Sequence, residues 1–540
     1  RGAFLPDSAI DRNSHLAKLV WTPSPAHRLE FGLALYDTAD EGGANPQANV
    51  GVSNALVGRG VDYRQWTGDY RFDPASTDLV NLDLTVYYNE TSQVRNYLGG
   101  RSDLGRVNRH ALDVFGVDLS NRSEFAAGPF SHTLVSGLEF FTESQGGTET
   151  RDTFFLPGAP GFSGGRPNAE ADHLGLFLTD EMEVNDRFRL FGGVRYDTFR
   201  TERTVGTAVS QQGSALSPNI GFDLDVTERV SLVGRYSRAF TQPTLNLLYQ
   251  DGSHFGVVPG TPFFRNVRDP QGGFFLPRPF GGGVPPAGLV NVNYFEEVFI
   301  PNPNLEPETS DNFELGVHFE EDDVAGGELS SRLTGFYKRG QGTVDTEIVG
   351  SSVTTPFAGF ANPENVPSVS GGPLFPGGPS PTFFTGLDFA GNLQQAFRQA
   401  VNREETQIYG AEFTLDYDAG GWFGALTAGS VRGQDTTTGA DLNTITGDQL
   451  SSTVGFRLFE DRVSMGAYGI WNAGMREVVS DPTLQTSGYD IYGLFSTLQV
   501  TPQWQLRFGV HNLFDQAHER TNILLGEPGR NVFISSTITF

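Results

Sequence analysis

The 540 residues contain no cysteine, only three methionines, and no apolar run long enough to cross a bilayer as a helix. The first absence excludes a disulfide framework and thiol chemistry. The last means that hydropathy identifies no transmembrane helix. Positive charge is also scarce, with 37 Lys and Arg against 64 Asp and Glu and a net charge of −27. That balance excludes nucleic acid as a partner, and acidic segments facing the medium account for it. What the chain has instead is glycine (67 residues), phenylalanine (44) and tyrosine (16). Its mean hydropathy is −0.28 and its hydrophobic content 38%. Many turns need glycine, and an aromatic content of 12% suits interfacial girdles.

The pattern within the chain is more specific than its composition. Along the C-terminal segment Val532, Ile534, Ser536, Ile538 and Phe540 share one side of a strand, and Asn531, Phe533, Ser535, Thr537 and Thr539 the other. The same period recurs. Leu29, Phe31, Leu33 and Leu35 oppose Glu30, Gly32 and Ala34, and Phe313, Leu315, Val317 and Phe319 oppose Glu314, Gly316 and His318. Tyr409, Ala411, Phe413 and Leu415 oppose Gly410, Glu412 and Thr414, and Leu506, Phe508 and Val510 oppose Arg507 and Gly509. A soluble sandwich also alternates, but rarely over so many strands with charges on the repeating face. An apolar face backed by a wet one identifies the fold class as all-β, a transmembrane antiparallel β-barrel of the outer-membrane type.

The period-2 rule counts about 19 strands. Short connections (Ser24-Pro25-Ala26, Asn185-Asp186-Arg187, Ala419-Gly420-Gly421, Thr501-Pro502-Gln503) alternate with long ones near 38–60, 91–108, 147–169, 204–214, 244–307, 350–402, 477–487 and 520–528. Short periplasmic turns and long outer loops give the first and last strands the same direction. An odd count cannot close an antiparallel barrel with an even number of strands, and three further strands would make about 22, a size that carries a plugged lumen. The chain opens on Arg1 with no signal peptide. The expectation is that residues 1–540 are one barrel domain truncated at its N-terminus, with the plug and first strands absent.

Three motifs carry a resemblance. Ser237-Arg238-Ala239-Phe240-Thr241-Gln242-Pro243-Thr244-Leu245-Asn246-Leu247-Leu248-Tyr249 is similar to the FRAP-type box of TonB-dependent receptors, keeping Phe240 and Pro243, with Thr241 and Gln242 between them. Asn302-Pro303-Asn304-Leu305 reproduces their NPNL box, and Asn512-Leu513-Phe514-Asp515 resembles their NLFD segment. The resemblance covers essentially the whole chain as barrel, and a FRAP box followed by NPNL points within the superfamily to the heme and hemoprotein receptor branch. It implies an energy-coupled importer of the Gram-negative outer membrane, embedded in lipid and lipopolysaccharide. It would take an iron carrier or hemoprotein from outside and be driven by a TonB-type protein through the plug. Heme or a ferric chelate would be its cargo, with no resident cofactor.

The resemblance also implies a heme-ligating histidine between the two boxes. His254 is the only histidine there, and neutral imidazole is a common axial ligand. Phe255, Tyr249 and Tyr294 are aromatic candidates for the porphyrin face. His15, placed before the first strand, and His518 are candidate second ligands. His318 and His511 are read as lining a wet lumen, and His27 as lying by a periplasmic turn. Lumenal Arg189, Arg195, Arg235 and Arg507 stand beside Asp197, Asp223, Glu314 and Glu412, an arrangement read as salt bridges. The NPNL turn is expected to set loop geometry, and Leu393–Ala400 is read as a short helix.

Against the importer stand a ferric-siderophore receptor within the same superfamily, a passive porin or adhesin, and a barrel enzyme. An enzyme would need a Ser-His-Asp or Ser-His-Asn set. His511-Asn512 and scattered serines exist without a nucleophile motif, so no catalytic residues are assigned.

Overall fold

The computed structural model describes residues 10–44, 56–97, 107–150, 166–206, 208–257, 288–291, 294–357, 387–402, 405–442, 445–475, 486–518 and 527–539. The first ten strands are β1 (Ile10–Ser24), β2 (His27–Ala44), β3 (Leu56–Phe72), β4 (Leu82–Tyr97), β5 (Val107–Ala127), β6 (Phe130–Thr150), β7 (Ala169–Asn185), β8 (Phe188–Arg203), β9 (Ser210–Asp225) and β10 (Val230–Thr241). A single turn of helix, α1 (Leu245–Tyr249), leads to β11 (Gly252–Val257), β12 (Gly288–Asn291) and β13 (Tyr294–Ile300). Then come β14 (Glu308–Val324), β15 (Gly327–Gln341), β16 (Val344–Phe357), β17 (Leu387–Asn402), β18 (Glu405–Asp418) and β19 (Trp422–Asp435). The chain finishes with β20 (Gln449–Leu458), β21 (Val463–Asn472), β22 (Tyr489–Thr501), β23 (Trp504–His511) and β24 (Asn531–Ile538).

Nineteen of these strands form one antiparallel meander, the wall of the barrel, in the number the alternation predicts. Each wall strand pairs with its neighbours in chain order, with β10 passing to β14 and β15 to β18. Among the described residues no pairing joins β1 to β24. Short and long connections alternate throughout, including tight turns at Gly128 (φ 65°) and at Ala325-Gly326 (φ 55° and 80°) that the sequence reading does not single out. The end with the long connections is the outer end below.

Register aligns the two faces. Leu138, Leu176, Tyr196 and Leu216 are successive Cα partners across β6–β9, as are Phe313, Tyr337 and Tyr409 across β14, β15 and β18. Leu176, Leu216 and Leu315 remain 48%, 57% and 60% exposed, which no aqueous protein would sustain over a continuous belt. The opposite face is polar and paired. Arg195 reaches Glu139 (2.7 Å) and Asp197 (2.8 Å), and Arg189 reaches Asp223 (3.3 Å). The expected salt bridges therefore form at these two arginines. Arg507 contacts Gln505 instead, and Arg235 and Glu412 make no ion pair among the described residues, although Arg235 and Glu314 are Cα partners.

Two expectations are corrected. Leu393–Ala400 is not a helix but part of β17, which pairs in parallel with β12 and β13 and antiparallel with β16. With β11 these strands make a second, five-stranded sheet from the two longest connections. His15 does not precede the first strand. It sits within β1 as the Cα partner of Leu35, on the outward face.

Candidate functional site

The two sequence boxes converge at the outer end, and they do so by packing. β10 ends at Thr241, Pro243 is buried, and Thr244 caps α1 in an extended conformation (φ −67°, ψ 154°) with its hydroxyl accepting from the Leu247 N–H. A helix of five residues has no stability of its own. It persists because Leu245, Leu248 and Tyr249 are buried against Ala169 and Ala171 of β7, Leu305 of the NPNL turn and Ala400 of β17. Ala169 and Ala171 belong to the face of β7 opposite Leu174, Leu176 and Leu178, so α1 lies on the inner wall of the barrel.

Polar contacts complete the clasp. The Asn302 backbone N–H donates to Leu248 O (2.9 Å), its Nδ2 to Ala400 O (2.8 Å), and its Oδ1 accepts from the Asn304 N–H (3.1 Å). Asn402 accepts from the Glu306 N–H (2.7 Å) and donates to Glu306 O and Gly342 O. Gln211 donates to Leu305 O, and Arg203 pairs with Asp251. The Tyr249 hydroxyl shares a hydrogen bond with Thr201 Oγ1 (2.7 Å), and burial pushes its phenol above the ordinary tyrosine value. The expected role of Asn302–Leu305 in setting loop geometry is what these bonds accomplish. The turn and α1 together pin the base of both long connections to β7, β8, β9 and β17.

Beyond the clasp, β11 and β13 pair antiparallel, with His254 opposite Glu297, Phe255 opposite Glu296 and Val257 opposite Tyr294. The side chains of His254, Phe255 and Tyr294 lie outside the described residues. Phe240 packs near Phe199 (5.9 Å between ring centroids) beside the clasp. His518 is buried, tilted against Tyr489 (4.8 Å) and bonded through Nδ1 to Gln516 O (3.4 Å), while its Nε2 has no partner among the described residues. His318 contacts Ser330 and Glu320, and His511 contacts the Tyr468 hydroxyl (2.6 Å), as wall residues. His27 bonds the Tyr70 hydroxyl (2.9 Å) and stacks on Phe72 at the first short turn. The reading from sequence missed His173. It is 8% exposed, stacked on Phe141 (4.7 Å) and paired through Nε2 with Asp197 (3.1 Å). Only its place in a polar-facing register could have signalled it.

The third box is a lock behind β23. Asn512 and Asp515 both adopt the left-handed conformation (φ 52° and 58°), which Asn and Asp tolerate better than other residues with a Cβ. Buried Asn512 brackets Gln516 through both side-chain atoms, and Asp515 Oδ1 accepts from the Arg530 N–H (2.7 Å). That bond holds the Asp515 carboxyl below its usual range. A depressed carboxylate contributes its full stabilisation above its unfolded-state pKa, about 4. The contribution is lost as pH falls through the lower folded value. Protection of the Arg530 amide from hydrogen exchange, taken relative to its intrinsic rate at each pH, should therefore hold down to about pH 4 and fall below it. In Asp515→Asn the acid-dependent part should vanish; an unchanged acid limb in the variant would show that another group controls this turn.

A membrane-type barrel wall with an inward-packed helix and a second sheet on its outer connections defines a class of surface receptor barrels. Residues 10–513 match the family described as TonB dependent receptor-like, beta-barrel, and the chain belongs to it. It is 23% identical over 529 residues to the Heme/hemopexin utilization protein C of Haemophilus influenzae, covering 96% of this chain and 61% of that protein. The chain thus spans less than two thirds of the length of that relative. Its fold is similar to a double mutant of the Serratia marcescens hemophore receptor HasR, solved with its hemophore HasA and heme (TM-score 0.68, 18% identity, 99% of this chain and 72% of that one). It is equally similar to the siderophore receptor PirA of Acinetobacter baumannii (TM-score 0.69, 16% identity, 98% and 71%).

Proposed function

We propose that this chain is the barrel of an outer-membrane receptor that imports heme, free or drawn from a protein carrier, by TonB-dependent energy coupling. The observation that carries the reading is sequence similarity over 96% of the chain to a heme/hemopexin utilization protein. Fold similarity does not discriminate, because HasR and PirA superpose equally well. The PirA likeness is what keeps a ferric siderophore as the second reading.

In the proposed mechanism His254 on β11 ligates the iron of the incoming porphyrin, and Phe255 and Tyr294 offer aromatic faces. Tyr249 acts differently. Its hydroxyl is committed to Thr201, so it fixes α1 rather than touching cargo. The clasp holds β11 and β13 at the mouth. Nineteen antiparallel strands leave β1 and β24 running the same way, so the proposed closure needs an odd number of additional strands, and a plug to be pulled by the coupling protein.

A hemin titration of the complete receptor, followed at the Soret band, tests the reading. The band should sharpen on binding, and His254→Ala should weaken affinity at least about tenfold, the equivalent of about 1.4 kcal/mol. Equal binding in both proteins would remove His254 as ligand. Binding of a ferric siderophore and not hemin would replace the heme reading by the second one.

A further inference from the structure

Some arginines on this barrel hold a carboxylate, as at Arg71, Arg195, Arg339, Arg432 and Arg457, and others, such as Arg235, make no ion pair among the described residues. Arg59 and Arg95 stand out among the latter because they face each other across one ladder. Among the described residues neither makes an ion pair or a side-chain hydrogen bond, and Arg95 Nε is buried with no partner. They are Cα partners across β3 and β4, so their side chains leave the sheet about 5 Å apart on one face. That face also carries Asp69 and Arg71, which engage Thr85 and Asp83 across the same ladder, and it is the lumenal one. Both arginines lie near the outer ends of their strands, inside the mouth.

Like charges placed directly opposite in a ladder repel each other. Among the described residues no acid makes an ion pair with either arginine. Asp40 is the Cα partner of Arg59 on β2 and has an interaction of its own. Glu149 lies two strands from Arg95, beyond Asn108. His110 is diagonal to Arg95 across β4 and β5 and has an interaction of its own. Arg166, which makes no ion pair among the described residues, crosses the inner face of β6, where a Cβ on Gly147 would meet Arg166 O at 2.7 Å and His110 Nδ1 at 3.2 Å. In a chain of net charge −27, two facing arginines without an ion pair among the described residues need a physical reason. An unpaired buried guanidinium N–H is a donor held ready for an anionic oxygen.

We infer that Arg59 and Arg95 form a seat for paired anionic oxygens of the cargo, with Arg166 at its edge. The inference rests on the reading of this barrel as a receptor for an anionic iron carrier, and it adds the residues that orient it. Porphyrin propionates and the oxygens of a catecholate chelate share this chemistry, and Arg is suited to both because its fork donates two parallel bonds.

The test compares hemin, hemin dimethyl ester and a ferric tricatecholate on the complete receptor in detergent. It uses wild type, Arg59→Gln/Arg95→Gln, and Arg71→Gln as a control at a paired arginine. Wild type should prefer the diacid over the diester by roughly tenfold or more. The double variant should bind the two alike, and the control should keep the preference. A tricatecholate bound by wild type and lost in the double variant, with no hemin binding, would uphold the seat and overturn the heme reading. A diacid preference unchanged in the double variant would overturn the seat and leave the heme reading intact. Binding of none of the probes would overturn both. Melting supplies the second readout. Relief of repulsion should leave the ligand-free double variant as stable as wild type or more so, whereas a lower melting temperature would mean that the arginines serve the fold, and the seat would be withdrawn.

Discussion

Leu248→Asp should open the mouth of this receptor without unfolding its wall. Leu248 is fully buried in the cluster that joins α1, β7, Leu305 and Ala400. The substitution forfeits about 1.5–3 kcal/mol of apolar burial. It also puts a carboxylate among the apolar side chains of this cluster, which adds several kcal/mol more. α1 cannot absorb such a loss, because a single helical turn is unfavourable without its contacts. Releasing α1 also frees the Leu248 carbonyl from Asn302, and with it the NPNL turn. The wall strands do not depend on any of these bonds. The expected result is new protease cleavage within residues 242–307, retained heat-resistant barrel mobility on gels, and hemin affinity lowered at least about tenfold. Asn304→Ala, at an exposed position of the same turn, should leave all three unchanged. Protection of residues 242–307 in Leu248→Asp equal to wild type would refute the clasp.

The parts of this arrangement that a reader of the sequence can see are those encoded by local contrast. Strands such as β14 alternate Phe313, Leu315 and Val317 with Glu314, Gly316 and His318, and the difference between lipid and water on the two faces leaves no other period. The second sheet lacks that contrast. In β17, Leu393, Ala396, Phe397 and Ala400 fall at helical spacing among good helix formers, so the local signal favours a helix. It is a strand because β13 and β16 pair along both its edges, and the sequence cannot announce partners so distant in the chain. The clasp is hidden for the same reason. Leu248 and Leu305 stand at the two ends of the longest connection, and only packing shows that their boxes are one structure. His173 and the Arg59–Arg95 pair are likewise products of register, which fixes neighbours that spacing along one chain does not reveal.

Leu315→Arg should destabilise the barrel by about 2–4 kcal/mol in a bilayer, the cost of a basic side chain near the midplane on a lipid-facing position. The prediction depends on the depth of the site as well as its face. On the outward side of β14 the residues run Asp311, Phe313, Leu315, Val317, Phe319, Glu321, so charge bounds the apolar stretch at both ends and Leu315 sits well inside it. Its Cα partners are Gly234 and Gly335, which leave the leucine 60% exposed and give a substituted guanidinium no protein acceptor nearby. A long side chain can snorkel toward the interface, which sets the lower end of the range. Glu314→Gln is the companion measurement. That residue faces the lumen opposite Arg235 without an ion pair among the described residues, so neutralising it should cost less than about 0.5 kcal/mol. Denaturant unfolding from phospholipid vesicles would give both values. The contrast between two adjacent residues is the decisive quantity. Equal effects would mean that the alternation separates two similar environments, and the assignment of a lipid face and a wet face would have to be abandoned for this strand.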